Sequence, residues 1–295
     1  MSGGVTTASG VMTLRPVEPD DAAECARIVF EAFGAIHDYH RFQRDFPAPE
    51  EAAAVMNAFV PHPRIWGVVA EVDGRIVGSN FLDERSPIRG VGPITVVPEA
   101  QNAGVGRRLM EAVVERASDA PGIRLLQDAF HMRSLALYGS LGFDVKEAAA
   151  VVTGKPRSEP TPRLQVRPLQ EEDLDGCEAL CTKVHGYGRT NELRDAMKGF
   201  APFVALRDGR LVAYASAVSF WPMNHGVAET EEDMKDLLLG AAAAIREPLA
   251  FLAPLRSSLF RWCLDEGLRL VKPMNLMALG DYQEPSGGWF PSVLY

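Results

Sequence analysis

The segment Ile94–Ala117, ITVVPEAQNAGVGRRLMEAVVERA, holds residues whose types and spacing could do chemistry. Gln101, Asn102, Ala103, Gly104, Val105 and Gly106 make a turn with glycine at alternate positions, and Arg107 follows. Val105, Leu109, Val113 and Ala117 then recur at helical spacing, so the turn opens an amphipathic helix. The first N–H groups of a helix lack partners within it, its dipole adds partial positive charge, and glycine lets an anion approach the backbone. The chemistry on offer is anion binding. The pattern is neither the dinucleotide fingerprint GxGxxG nor a P-loop, which needs Gly-Lys-Ser/Thr. An ordinary strand-to-helix turn would also use glycines. A second stretch, Ile123–Phe143, IRLLQDAFHMRSLALYGSLGF, reads as a strand to about Ala129 and then a helix ended by Gly142. On that helix Tyr138 carries a phenol, which stays protonated at neutral pH and can donate a proton. A core tyrosine with its hydroxyl at the surface is the alternative reading.

Gln101-x-x-Gly104-x-Gly106, with the Val-x-Pro strand before it and the helix after it, resembles the R/Q-x-x-G-x-G/A pyrophosphate loop of the GNAT superfamily of N-acetyltransferases. Ile123–Phe143 is similar to the N-x-x-A-x-x-L-Y-x-x-x-G-F motif of the same superfamily. Leu137-Tyr138 and Gly142-Phe143 match, while His131 stands for Asn and Ser134 for Ala. The resemblance implies acetyl-CoA as cosubstrate, no metal, and direct attack by a primary amine in a ternary complex. It implies that Val96 and Val97 offer backbone groups to the pantetheine arm and that Gln101–Arg107 holds the pyrophosphate. It gives Tyr138 the task of protonating the leaving thiolate, and His131 a possible hydrogen bond to CoA. The acceptor, a small-molecule amine or a protein amine, would lie under Phe33–Glu51, which makes His37, Tyr39, His40 and Asp45 substrate-side candidates. Some members carry a glutamate base early in the fourth strand; here Gly90 and Gly92 stand nearby, leaving Asp83, Glu84 and Asp128 as substitutes. Each of these side chains also reads as an ordinary surface group.

The elements that would position these residues occur twice. Leu14-Arg15-Pro16-Val17, with Asp21 and Cys25 following, matches Val166-Arg167-Pro168-Leu169, with Asp173 and Cys177 following at the same spacing. Asp73-Gly74 and Asp208-Gly209 each separate two β-rich runs, a hairpin signal. Gly142-Phe143 and Gly267-Leu268 form a weaker third match. Each copy reads β, α, α, hairpin, strand, helix, strand, helix, strand. The expected fold is therefore α/β, an α+β mixed sheet, in two tandem GNAT-like domains. Residues 1–12 read as a disordered tail, 13–154 as the catalytic domain, 155–163 (KPRSEPTPR) as a semi-rigid linker and 164–295 as a degenerate domain. The second copy has no Gly-rich loop. Glu229, Glu231, Glu232 and Asp233 crowd its helix start, where they would repel a pyrophosphate, and Cys263 stands at the Tyr138 position.

Composition sets bounds. The 295 residues are 47% hydrophobic and 23% charged, with a formal net charge of −9, which argues against nucleic acid as partner. No apolar run approaches a membrane span. MSGGVTTASG has neither a basic region nor an apolar core, so a cytoplasmic protein without a signal peptide is expected. Four cysteines make no disulfide framework. Cys177, Cys181 and His185 share a helix face, where core packing outweighs a metal site. The aromatic tail after Tyr282 should be docked, since exposed Trp289, Phe290 and Tyr295 would be costly. A monomer (as a pseudo-dimer) or a homodimer fits the repeat. A non-catalytic acyl-CoA-binding module, or an interaction protein that keeps the fold alone, is the alternative function.

Overall fold

The structure is a computed structural model that describes residues 5–7, 10–245 and 247–294. The first half runs β1 (Val5–Thr7), β2 (Gly10–Pro16), α1 (Ala22–His40), α2 (Pro49–Phe59), β3 (Ile65–Val72), β4 (Arg75–Asp83), β5 (Arg89–Val91), β6 (Thr95–Val96), α3 (Val105–Arg116), β7 (Gly122–Asp128), α4 (Met132–Ser140) and β8 (Asp144–Gly154). The second runs β9 (Gln165–Pro168), α5 (Leu174–His185), α6 (Thr190–Gly199), β10 (Phe203–Arg207), β11 (Arg210–Ala215), β12 (Gly226–Ala228), α7 (Glu231–Ile245), β13 (Leu249–Pro254), α8 (Ser258–Asp265), β14 (Arg269–Gly280) and β15 (Gly288–Phe290).

The repeated Arg-Pro and Asp residues do the same work twice. Arg15 grips Asp21 with nitrogens at 2.6 and 3.0 Å, and Asp21 accepts the Glu18 N–H at 2.8 Å. Arg167 grips Asp173 at 2.6 and 2.8 Å, and Asp173 accepts the Gln170 N–H at 2.9 Å. Each pair pins the chain where a strand turns into a helix, and Arg15 holds the Asp21 carboxyl below the usual carboxylate range. Asp73 and Asp208 both take positive φ ahead of glycines that do the same, the conformation a tight hairpin needs.

Two of the expectations need correction. Residues 1–12 are not wholly a disordered tail: Val5–Thr7 pairs with Gly10–Met12, and Met12 is buried against Val72, because this stretch can extend the sheet edge. The remaining tail residues lie outside the described residues, as does Tyr295. Nor is His37 an ordinary surface group: α1 continues to His40, ends at Arg41 with φ 61°, and buries the His37 side chain.

The halves do not form separate sheets. The large sheet has the order β1-β2-β3-β4-β5-β7-β14-β8-β13, with β6 beside β4; the other sheet is β15-β12-β11-β10-β9. β14, from the second half, therefore lies between β7 and β8 of the first, and β8 lies between β14 and β13 of the second. Each half lends its last long strand to the other. The cores follow: Met277 of β14 packs with Leu109, Val113 and Tyr138, while Val152 of β8 packs with Leu237, Phe251 and Cys263. A buried polar seam adds to this, with Arg85 donating to Asp195 at 3.1 Å and Asn191 donating to the Arg85 carbonyl at 2.8 Å.

Because the two cores share strands, the chain should unfold as one unit. Calorimetry should give a single transition, and Met277→Ala should cost about 2–5 kcal/mol by the loss of a buried side chain without splitting it. Two resolved transitions would contradict the exchange.

Candidate functional site

β5 pairs in parallel with β7 only at Arg89 and Gly90, after which the chain turns away and β6 joins β4. A cavity of about 620 Å³ opens where these strands part. One end meets the loop before α3, Tyr138 lies along its wall, and the far end is closed by α1, α2 and segments of the second half.

Gly104 caps α3 with φ 82°, a backbone that side-chain-bearing residues rarely adopt. No side chain caps this helix and its first turn carries no acid, so its leading N–H groups face the cavity end uncommitted by a cap. Gln101 donates to the Val96 carbonyl at 3.2 Å, tying loop to strand, and Arg107 donates to Ser140 Oγ at 2.7 Å. Gly106 is informative because nothing in the protein requires it. A Cβ there would meet nothing nearer than Leu137 Cδ2 at 3.6 Å and Val96 Cγ2 at 3.9 Å, both on the cavity wall. The missing side chain leaves room for something in the cavity to approach the backbone, which fits a pyrophosphate.

Tyr138 is buried in the core cluster yet lines the cavity. Burial, and secondarily the nearby Asp128 charge, push its phenol well above the usual value. His131 stands at the start of α4, also on the cavity wall, and burial lowers its pKa. Its carbonyl accepts from Gln127 and Ser134, so the Ser that replaces the expected Ala closes the helix start.

At the far end four groups converge. Lys272 Nζ lies 2.6 Å from Asp45 and 2.6 Å from Asp128, 3.2 Å from His37 Nε2, and 4.8 Å from the centroid of the Trp221 ring. His37 Nδ1 sits 2.7 Å from the Phe33 carbonyl and donates to it, which leaves Nε2 to accept from the ammonium. Burial alone would lower the His37 pKa, but the hydrogen bond and charge of Asp45 outweigh it and the net shift is upward. Burial likewise works against ionised Asp45, and the Lys272 charge overcomes it. His37, Asp45 and Asp128 could offer three ligand atoms to a cation, all within 4.8 Å of one another. The Lys272 ammonium takes that place itself.

Of the residues singled out in the sequence, Val96, Gln101, Asn102, Gly104, Gly106, Arg107, Asp128, His131 and Tyr138 line one cavity, with Asp45 beside them and His37 just behind. Others do not. Val97 spends its N–H on the Val77 carbonyl at 2.9 Å, Ala103 is exposed off the wall, and the Val105 side chain points into the core. Tyr39 is 83% exposed and meets the His40 ring edge-on, and His40, which packs against Phe130, is not on the cavity wall. Asp83 is taken by Arg85, 2.6 Å away, in the seam between halves, and Glu84 binds Arg116 at 2.9 Å. Cys177 and Cys181 pack among Leu174, Leu180 and Val184, and burial pushes the Cys181 thiol up to about 11 and that of Cys263 to about 12. Sequence reasoning missed Lys272, Trp221 and Met223. The available signal for Lys272 was a cation in the interior of the largely apolar strand β14.

The corresponding cleft of the second half is filled. β15, in the C-terminal tail, pairs with β12, and Trp289 and Phe290 are buried. At the start of α7, Glu231 accepts from Ser258, Asp233 accepts from Arg163 and Arg207, and Gly288 packs against the Thr230 carbonyl.

Residues 61–145 match the family model described as "Acetyltransferase (GNAT) domain". Solved structures share the fold over nearly the whole chain. A candidate acetyltransferase from Pyrococcus horikoshii superposes with a TM-score of 0.76 at 15% identity, over 99% of this chain and 96% of that one. A GCN5-related N-acetyltransferase from Sphaerobacter thermophilus gives 0.60 at 14%, over 93% and 97%. A tandem GNAT protein from the clavulanic acid biosynthesis pathway gives 0.58 at 14%, over 91% and 98%. No curated protein matches the sequence. Residues 61–145 thus carry the match to the GNAT domain, and the chain as a whole shares the fold of these solved structures. Among the described residues no helix is long and apolar enough to cross a membrane.

The raised His37 pKa has a signed consequence. A group whose folded pKa lies above its unfolded value, near 6.5, stabilises fully below that value and loses the contribution as pH climbs through the folded one. Urea unfolding of wild type and His37→Gln should therefore show the wild-type advantage shrinking from pH 5.5 to pH 9. A gap that is constant or grows with pH would contradict the assignment.

Proposed function

We propose that the chain is an acetyl-CoA-dependent N-acetyltransferase with one active site, built on residues 13–154 plus β14, and that residues 164–295 are a degenerate partner. The observation that carries this reading is Gly106, a glycine that neither packing nor backbone angle demands, beside an uncapped helix start at the mouth of a deep cavity. In this reading Gln101–Arg107 binds the pyrophosphate through backbone N–H groups, with Arg107 adding charge. Val96 borders the pantetheine arm. Acetyl-CoA supplies the activated carbonyl, and a primary amine attacks it directly.

Tyr138 donates a hydrogen bond to the departing sulfur. A thiol has a pKa near about 8.5, and the phenol is a much weaker acid than that, so complete proton transfer from Tyr138 would run uphill. Stabilising the thiolate by an O–H donor needs no such transfer. The proton that finally reaches sulfur comes from the attacking amine. Filling of the second cleft by β15 and the acids on α7 favour a single acyl-CoA site.

Titration calorimetry should find one acetyl-CoA site per chain. Gly106→Val should weaken binding at least tenfold, about 1.4 kcal/mol, with little change in unfolding midpoint, since a Cβ there makes only ordinary van der Waals contacts and the rest of the side chain borders the cavity. Tyr138→Phe should keep binding and lower kcat by about 10²-fold or more. Two sites, or undiminished binding by Gly106→Val, would overturn the reading.

A further inference from the structure

Two carboxylates and one ammonium leave a surplus negative charge at the inner end of the cavity. Lys272 donates to Asp45 and to the His37 lone pair, its ammonium lies 2.6 Å from Asp128 Oδ1, and the Trp221 ring lies beside it. Asp45 is held between Lys272 and His37. Both carboxylates line the cavity, but Asp45 accepts a hydrogen bond from Lys272, whereas Asp128 Oδ1 is buried without a hydrogen-bond donor. A buried surplus charge is costly unless a cation or a proton joins it, and the cavity gives access to both. Around it the walls are apolar: Phe33, Phe46, Val55, Phe59, Met223 and Val293. Resting on the acetyltransferase reading above, we propose that Asp128 receives the acceptor's ammonium and takes up its proton, and that the acceptor is a monoamine carried on an apolar body.

The cluster can hold that proton. His37 Nε2 lies 3.7 Å from Asp128 Oδ2 and 3.3 Å from Asp45 Oδ1, so a proton passed on by Asp128 rests on His37, whose Nε2 then donates to the carboxylates it faced. Groups facing His37 from the surrounding elements are Asp45, Asp128 and Lys272, with His40 and His131 beyond the Phe130 ring. The step balances. The ammonium gives one proton to the cluster and becomes a neutral amine. Its lone pair forms the C–N bond as the C–S bond breaks, the electrons leave on sulfur, and the nitrogen's second proton ends on the thiolate. Two of the groups concerned, Lys272 and Trp221, belong to the second half, which gives that half a part in the chemistry without an acyl-CoA site of its own. Lys272 is a positioning residue; it touches Asp128, not the acceptor.

The test is thiol release from acetyl-CoA with phenethylamine, spermidine and glucosamine as acceptors, over pH 5.5–9.5, for wild type, Asp128→Asn, Lys272→Met and Met223→Asp, with acetyl-CoA calorimetry on each variant as the check on folding. Phenethylamine should exceed the other two at least tenfold in kcat/KM. In wild type kcat/KM should rise with pH as the cluster loses its proton. Asp128→Asn should lower it at least 100-fold and remove that limb. Lys272→Met, which takes away the opposing cation, should move the limb to higher pH, a shift that loss of packing alone would not produce. Met223→Asp, which puts a carboxylate on the apolar wall away from the cluster, should narrow the preference over spermidine. If Asp128→Asn binds acetyl-CoA and keeps the wild-type rate and profile, or if spermidine or glucosamine is the better acceptor, this inference is wrong and the acetyltransferase reading stands. If wild type binds no acetyl-CoA, both fall. Should Asp128→Asn fail to bind acetyl-CoA, the Lys272→Met shift decides.

Discussion

The exchange of β8 and β14 is the constraint on which the molecule depends. Strand β7 ends at Asp128, and its outer neighbour is not β8 but β14 from the other end of the chain, with Met274 opposite Asp128. That register puts Lys272 just past the end of β7, where Ala129 donates to the Pro273 carbonyl at 3.1 Å. Without β14 the sheet would have a gap between β7 and β8, the Tyr138 core would lose Met277, and Asp45 and Asp128 would face each other with no cation between them. One strand thus closes a sheet, completes a core and neutralises part of a buried charge. In a low-dielectric interior the last of these is not small, because two like charges at such range disfavour each other's ionisation strongly.

Local features of the fold were legible because local physics sets them. Arg15 and Asp21 lie six residues apart and meet across one turn; Arg167 and Asp173 repeat the arrangement. Asp73-Gly74 and Asp208-Gly209 specify their hairpins by backbone angle alone. The Gly-rich turn announced itself because glycine at 104 answers a φ requirement and glycine at 106 answers none that the protein imposes. The β14 exchange could not be read in this way. RLVKPMNLMALG carries a proline and a lysine, which argue against a central strand when taken alone. In the sheet, the irregular pairing with β8 next to Lys272 accommodates them. The candidates that missed the cavity, Tyr39, His40 and Asp83, were chosen by position along the chain. What decides access is which face of α1 they occupy and which partner claims them. Asp83 shows this best, because the arginine that neutralises it is only two residues on and draws Asp195 from the other half into the same seam.

Duplication also explains why the second half can have an acidic helix start where the first has a bare one. Both units have the same order of elements, but an anion site needs uncommitted N–H groups, whereas a structural helix start is better served by acids. Once the tail strand β15 lies on β12, the space beside that helix is closed and the acids carry no functional cost. Glu231 and Asp233 then work as anchors, binding Ser258, Arg163 and Arg207.

The same tail bears on where negative charge can enter the first cavity. A side chain at Gly90 would collide with the Leu294 carbonyl, so β5 is closed to any carboxylate at that position. Leu294 is buried among Val69, Phe59 and Phe81, and Val293 donates to the Pro222 carbonyl at 3.0 Å, so this is a packed seat. The acids that do reach the cavity are Asp128, at the end of β7, and Asp45, beyond the end of α1. An isolated carboxylate so deeply placed would tend to take a proton and lose its charge. The Lys272 ammonium lies 2.6 Å from Asp128 and 2.6 Å from Asp45, so one cation is shared between two carboxylates. Tail and exchanged strand therefore act on one electrostatic problem from two sides: the first bars the near wall to acid, and the second makes the far wall able to bear it.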